Sequence, residues 1–460
     1  MTDRTRLHGP EGVVPLLHDW LPRQRWFAGK GRPVRGVRVL SWAVFIEGDP
    51  TLAHMIVTVD HGDSLDTYQL VIGGRYEIPH RLEHAVIGPL DDSPQPMVVY
   101  DATHDTDLTR WLVRFCRDGS EMGPVRFHHA EDAELDTELS SLVVGSEQSN
   151  TSFILGDALI CKLFRRIEPG LNPDLELTLT LAGAGSPHVA EPVAWFEMPV
   201  DGEVTTLGMI QTYLPTASLG WDLALTSVRD LYAEADLHAN EVGGDFAPES
   251  HRLGTATAEV HRDLARTLPT GELNGDAVAP LAKIMGDRLR HAATTVPQLA
   301  PYADALQDIF DALGQVRTPL PIQRIHGDYH LGQVLRSPLQ WVLIDFEGEP
   351  ARPMAERRAM HSPLKDVAAM LRSYDYAARH LLIDYGGSGQ HEYRAAEWAE
   401  RNREAFCDGY AEAAGHDPRS DAVVLRAFET DKAVYEVMYE ARNRPSWLPI
   451  PLAGIARLAS

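Results

Sequence analysis

With 460 residues, 44% of them hydrophobic and 23% charged, the chain exceeds one ordinary core, and two or three packed units are expected. No apolar run approaches the roughly 18–20 residues of a bilayer span, and a formal net charge of −24 argues against binding nucleic-acid phosphates, which needs an electropositive surface. A soluble globular protein with neither a membrane nor a nucleic-acid partner is expected, and anionic small molecules stay open where local cations or a divalent metal supply the charge.

The opening MTDRTRLHGPEG carries charges with no apolar stretch behind them, so a cytoplasmic address is expected. Cys116, Cys161 and Cys407 show no CxxC spacing, which disfavours a disulfide framework and a zinc site. The histidines are scattered and lack HExxH spacing. Residues Val37 to Phe45, Leu52 to Val59 and Thr67 to Ile72 alternate as strands, broken by Glu47-Gly48-Asp49-Pro50 and Gly73-Gly74. Gly88-Pro89 and the polar stretch from Asp91 to Pro96 mark a linker, closing a first unit over 1–96. From Met97 to Leu214, strands at 142–144, 152–155, 158–164 and 206–213 alternate with one or two helices. Beyond Pro215 the period becomes helical over 228–239, 252–268, 278–294 and 302–313, so 215–460 is expected to be mainly helical. The fold class is α+β.

Strand character returns at Arg324 to Glu347. Ser337-Pro338 joins two short strands into a hairpin that sets Gln333 opposite Asp345 or beside it, with Asp328 on the preceding loop. Two oxygen-bearing side chains at one hairpin end suit magnesium, which binds through one or two protein groups plus substrate phosphates. His326-Gly327-Asp328, then Gln333, then Asp345-Phe346-Glu347-Gly348 has the spacing of the kinase catalytic loop H-R-D-x-x-x-x-N and its D-F-G. The departures are Gln for Asn and the inserted Glu347. This constellation favours phosphoryl transfer from ATP to a hydroxyl, against a plainer reading in which His326 and Asp328 stabilise a turn.

An ATP-holding lobe should precede it. Val144 to Ser152 lies between two strands where a phosphate loop belongs; it has one glycine, and Ser149, Asn150 and Thr151 offer small polar groups. An ordinary hairpin turn accounts for it equally well. Lys162 sits in an apolar run and would hold phosphates if paired with a helix glutamate, Glu176 being the candidate, or else snorkels from an edge strand. Gln211-Thr212-Tyr213 is where hinge backbone would meet adenine.

Together with WLPRQRWFAGKGR (20–32), KLFRR (162–166), NPDLEL (172–177), DVAAMLRSYDYAA (366–378) and YEARNRPSW (439–447), these motifs resemble the actinobacterial maltokinases, in the aminoglycoside-phosphotransferase-like branch of the kinase fold. The resemblance spans nearly the whole chain. It implies a bilobal kinase-like fold with an N-terminal cap, an intermediate nucleotide-binding lobe over 97–214 and a helical catalytic lobe. It implies that ATP and magnesium convert maltose to maltose 1-phosphate for α-glucan synthesis, with Asp328 as base, Gln333 and Asp345 on magnesium and Lys162 on phosphates. It further implies a monomer that associates with a trehalose-isomerising enzyme. The Met360-His361 stretch departs from the family pattern.

Lys432 to Arg444 reads as a helix stopped by Pro445, with Tyr435, Tyr439 and Arg442 on one side. Aromatic faces beside polar groups suit a sugar, and the resemblance makes Glu436, Tyr439, Arg442 and His330 the substrate contacts. An amphipathic surface helix with a Lys432–Glu436 pair fits the pattern equally. The rival functions are a glucosamine or aminoglycoside kinase, which would want extra carboxylates around an amine, and an inactive nucleotide-binding scaffold.

Overall fold

A computed structural model describes residues 7–91, 95–145, 149–234, 236–350, 352–385 and 389–460. Part of the expected linker (92–94) and of the expected phosphate loop (146–148) lie outside them. The chain forms two units, one of residues 1–176 with 190–215 and one of 177–189 with 216–460. Among the described residues no helix is long and apolar enough to cross a membrane.

The first unit is sheet-rich. Strands β1 (Gly36–Ile46), β2 (Thr51–Asp60), β3 (Leu65–Arg75), β4 (Val86–Pro89) and β5 (Val98–Asp101) form a five-stranded sheet in the order β1-β2-β3-β5-β4. The boundary expected after residue 96 therefore falls just before a strand that completes this sheet, because β5 pairs with both β3 and β4. Helix α1 (Val14–Trp20) and the WLPRQRWFAGKGR segment cover one face, and Trp20, Trp26, Phe27 and Tyr68 interlock with ring centroids 5.2–5.8 Å apart. On β2 every residue but the last is buried. Its other face is also covered: His54 stacks on Phe45, which meets Phe115 and Phe127 at 5.8 and 5.9 Å.

Phe115 comes from α2 (Thr106–Arg117), whose first turn is capped by the Asp105 carboxylate. Phe127 comes from the second sheet, built from β6 (Glu121–Met122), β7 (Val125–His129), β8 (Ser141–Val143), β9 (Thr151–Leu155), β10 (Leu159–Leu163), β11 (Pro192–Val200) and β12 (Glu203–Thr212) in the order β6-β7-β11-β12-β10-β9-β8. The two sheets are joined where the chain leaves β10: Gln69 N–H donates to Arg165 O and Ile167 N–H to Thr67 O. Arg165 is only 1% exposed. Its guanidinium donates to Asp101, Thr103 and the Thr151 hydroxyl and lies over the Trp26 ring. Removing one partner of a buried ion pair leaves an uncompensated charge, so Arg165→Ala is expected to destabilise this unit by about 3–5 kcal/mol, read as a lower urea midpoint.

The second unit contains α4 (Gly220–Ala233), α5 (Ala247–Thr267), α6 (Gly275–Thr295), α7 (Ala303–Gly314) and, after the hairpin, α8 (Met354–Arg357), α9 (Leu364–His380), α10 (Leu382–Tyr385), α11 (Gly389–Ala414), α12 (Ala422–Asn443) and α13 (Pro449–Ala459), with α3 (Pro173–Gly183) leading into it. Helices α5 and α11 cross so closely that a Cβ on Gly254 would lie 2.0 Å from Phe406 O, and one on Gly409 1.9 Å from His251 O. Glycine is required at both crossings, and the contact fixes α5, which carries Thr257 and His261 toward the catalytic-loop candidate. The expected hairpin strands appear as β16 (Val334–Arg336) and β17 (Trp341–Leu343), which an unexpected short strand, β13 (Ser218–Leu219), joins in one small sheet; β14 (Gly271–Leu273) and β15 (Leu320–Ile322), also outside the expected stretch, form another.

Candidate active site

In the helical unit, β16 and β17 pair Leu335 with Val342 and Arg336 with Trp341, closed by Ser337 to Gln340. This register is one residue from the expected one and sets Gln333 against Ile344, whose N–H donates to Gln333 O at 3.0 Å. The side chains still meet: Gln333 Nε2 donates to Asp345 Oδ2 at 2.9 Å. Asp345 has φ 65°, a left-handed conformation that a non-glycine residue adopts at a cost and that is concentrated at functional sites. An amide and a carboxylate so paired are the hard oxygen donors that magnesium takes.

The loop carrying Asp328 is held from behind. Asp366, buried in the first turn of α9, accepts from the backbone N–H of His326 at 2.8 Å and of Gly327 at 3.0 Å, and meets His261 Nε2 at 3.1 Å. Burial alone would raise its pKa, but His261 and His326 and these N–H groups hold it below the ordinary carboxylate range. The His326 ring packs on Phe346 at 4.7 Å and its Nε2 lies 2.9 Å from Ile344 O, locking the loop to the strand that leads into Asp345. Gly327 has φ 88°, and its Cβ position faces the Gly348 Cα at 3.3 Å, a close approach that suits glycine at both places. Asp366 went unmarked in the sequence, although a carboxylate inside the apolar run LKDVAAML flags a buried charge in need of partners.

Asp328 lies 3.1 Å from Lys432 Nζ, which also reaches Glu349 at 3.5 Å. Burial pushes the Asp328 pKa up, but Lys432 and then His330 outweigh it and bring it down to about 2. Beside this pair opens a cavity of about 390 Å³ whose wall includes Gly327, Glu349, Lys432 and Tyr435. Every carboxylate on that wall has a cationic partner: Glu349 meets Lys432 and Arg352, Glu356 meets Arg352, and Asp431 makes a two-pronged contact with Arg288 at 2.9 and 2.5 Å. Arg357 and Lys365 add further positive charge, in a chain whose net charge is −24. Met360 and His361 also line it.

The expected sugar contacts are placed otherwise. Glu436 is committed to Arg372, whose Nε and Nη2 donate to one of its oxygens at 3.1 and 2.7 Å. Tyr439 is 41% exposed with Arg444 over its ring, and Arg442 is exposed. His330 caps the following turn, its Nδ1 accepting from Gly332 N–H at 3.0 Å. Helix α12 instead gives the cavity Asp431, Lys432 and Tyr435, about one turn earlier than expected, and Lys432 turns to Asp328 rather than to Glu436.

In the sheet-rich unit, Lys162 on β10 is 9% exposed and pairs in register with Ser152 and Met209. Its Nζ donates to Asp174 Oδ2 at 2.8 Å, a partner two residues from the expected Glu176 in the same first turn of α3. Asn172 sets that turn, its Oδ1 accepting from Asp174 N–H at 2.8 Å. Ser149 is exposed and Asn150 buried, while the Thr151 hydroxyl is taken by Arg165 rather than turned to the loop. At the expected hinge, β12 pairs Gln211 with Ile160, and the N–H groups of Thr212 and Tyr213 are spent on Glu191 O and Ala158 O. An adenine contact through the Tyr213 N–H is thereby removed.

Comparison with known proteins adds the following. Residues 141–416 match the phosphotransferase enzyme family, and residues 20–105 match the maltokinase N-terminal cap domain. A glucosamine kinase of Streptacidiphilus jiangxiensis is 27% identical over 414 residues, 81% of this chain and 92% of that protein. One from Mycolicibacterium smegmatis is 29% identical over 325 residues, 68% and 78% of the two chains. A solved glucosamine kinase in complex with glucosamine, ADP and inorganic phosphate superposes with a TM-score of 0.70 at 21% identity, covering 97% of this chain and 98% of that one, and shares its fold.

Proposed function

The chain belongs to the phosphotransferase enzyme family, and on that premise we propose that it transfers the γ-phosphoryl group of ATP to the anomeric hydroxyl of maltose, giving maltose 1-phosphate for α-glucan synthesis. Asp328 orients that hydroxyl and receives its proton as the oxygen bonds to phosphorus and the bond to the ADP oxygen breaks. Lys162, held by Asp174, carries nucleotide phosphates. Gln333 and Asp345 are the residues that would hold magnesium, which in this reaction class neutralises charge on the phosphates. Asp366 is a positioning residue, since it acts on the backbone that presents Asp328.

The observation that carries the acceptor is the electrostatics of the cavity wall. An amino sugar would bring an ammonium beside Lys432, among carboxylates that all have cations already, whereas a neutral sugar meets donors and acceptors at no Coulombic cost. The match of residues 20–105 to the maltokinase cap supports the same choice. The test is ATP-dependent turnover of maltose and of glucosamine with the product identified by NMR; efficient glucosamine phosphorylation with none of maltose overturns the acceptor.

The pH dependence follows from Asp328. Its folded pKa is depressed from 3.8 to about 2 by Lys432, against burial, so the charged form is fully present above the ordinary carboxylate range and is lost only as pH falls through the lower value. The rate is expected to show no acid limb from this group between about pH 5 and 8; Lys432→Met should move such a limb upward in pH, since burial would then be opposed only by the weaker pull of His330 and His326.

A further inference from the structure

Next to the acceptor cavity, α6 and α12 enclose a second groove of about 400 Å³, lined among others by Ile284, Arg288, His291, Asp431, Tyr435 and Met438. Four of its residues, Ile284, Arg288, Asp431 and Tyr435, also line the acceptor cavity. The two spaces therefore share a wall, and a ligand that fills the first and continues in the direction of α6 enters the second. The groove has the chemistry of a pyranose site. The Tyr435 ring offers an apolar face, its neighbour Tyr439 stacks beside it with centroids 6.2 Å apart, and the Arg288–Asp431 pair supplies donors and acceptors at the rim. Ile284 is 52% exposed, an apolar side chain left open at the lip of both spaces.

We infer that this groove is a binding subsite for the glycosyl unit beyond the disaccharide, so that the enzyme takes linear α-glucosides of three rings as well as two. The inference rests on the acceptor reading above. The reacting ring lies at the Asp328 end, the cavity is large enough for the disaccharide, and the third ring crosses the shared wall and lies against Tyr435, with Arg288 and Asp431 meeting its hydroxyls. A path that runs from the cavity beside Lys432, the ion-pair partner of the reacting carboxylate, across the shared wall into the groove selects a glycosyl chain as the occupant over an unrelated peptide or a second copy of the protein.

The experiment compares kcat/KM for maltose and maltotriose in the full-length enzyme and in His291→Trp, a substitution at an exposed groove residue outside the acceptor cavity. Maltitol and maltotriitol, which lack the anomeric hydroxyl, serve as unreactive competitors. The wild type is expected to phosphorylate both sugars and to bind maltotriitol more tightly than maltitol. His291→Trp is expected to lower kcat/KM for maltotriose about tenfold, the scale of a lost hydrophobic contact, to abolish the advantage of maltotriitol and to leave maltose unchanged, with an unaltered melting curve. Turnover of maltose with maltotriose inert, or with maltotriose insensitive to Met438→Trp and His291→Trp alike, overturns the subsite while leaving the acceptor reading intact. Failure to phosphorylate either sugar removes the acceptor reading and the subsite together.

Discussion

Asp328→Asn is expected to lower kcat on maltose by about 10³-fold, within the range a positioned base contributes, while the Kd for nucleotide changes less than about twofold. The substitution keeps the size of the side chain and the hold of Asp366 on the His326 and Gly327 N–H groups, so the loop retains its path. What it removes is the anion that faces Lys432 at 3.1 Å. Lys432 keeps Glu349 at 3.5 Å as a counter-ion, which limits the cost of the change to folding. Steady-state kinetics with calorimetric titration of ADP separates the two quantities. An Asp328→Asn enzyme as fast as the wild type would remove the base from the mechanism.

Asp366→Ala should damage both stability and turnover, although the residue touches neither substrate nor metal. Two backbone N–H groups and a histidine nitrogen lose their common acceptor in a site that is 1% exposed. Unsatisfied buried donors cost about 1–3 kcal/mol each, so a loss of about 3 kcal/mol is expected, seen in chemical denaturation. Turnover should fall by about 10²-fold, because an unanchored Asp328 loses the orientation on which such catalysis depends. Asp366→Asn keeps one oxygen acceptor and should recover part of both losses. A variant with reduced stability and unaltered kcat would show Asp366 to be a structural residue alone.

The loop and hairpin were legible because their information is local. Asp328, Gln333 and Asp345 lie within eighteen residues of sequence, joined by a short turn, and a slip of one residue in the pairing still left Gln333 in reach of Asp345. The strands of the five-stranded sheet were legible for the same reason, although β5 lies across the Asp91 to Pro96 stretch that reads as a boundary. The helix proposed to meet the acceptor was not. Its spacing finds a polar side, yet nothing in residues 432–444 discloses that Arg372, sixty-four residues before Glu436, occupies that carboxylate, or that Lys432 belongs with Asp328. Lys162 posed the same difficulty on a smaller scale: Asp174 and Glu176 stand two apart in one helical turn, and only the packing of that turn selects the partner. Long-range ionic pairing is decided by which elements meet, and periodicity carries no record of it.

Arg165 has a consequence for how this protein could be shortened or grafted. One guanidinium, shut away from water, answers to Asp101 and Thr103 on one side and to Thr151 at the root of the proposed phosphate loop on the other. Excising the chain through residue 105, where the match to the cap domain ends, would therefore strand a cation in the interior and take Phe45 from Phe127, so the amino-terminal portion is an organ of the enzyme and cannot be shed as an accessory.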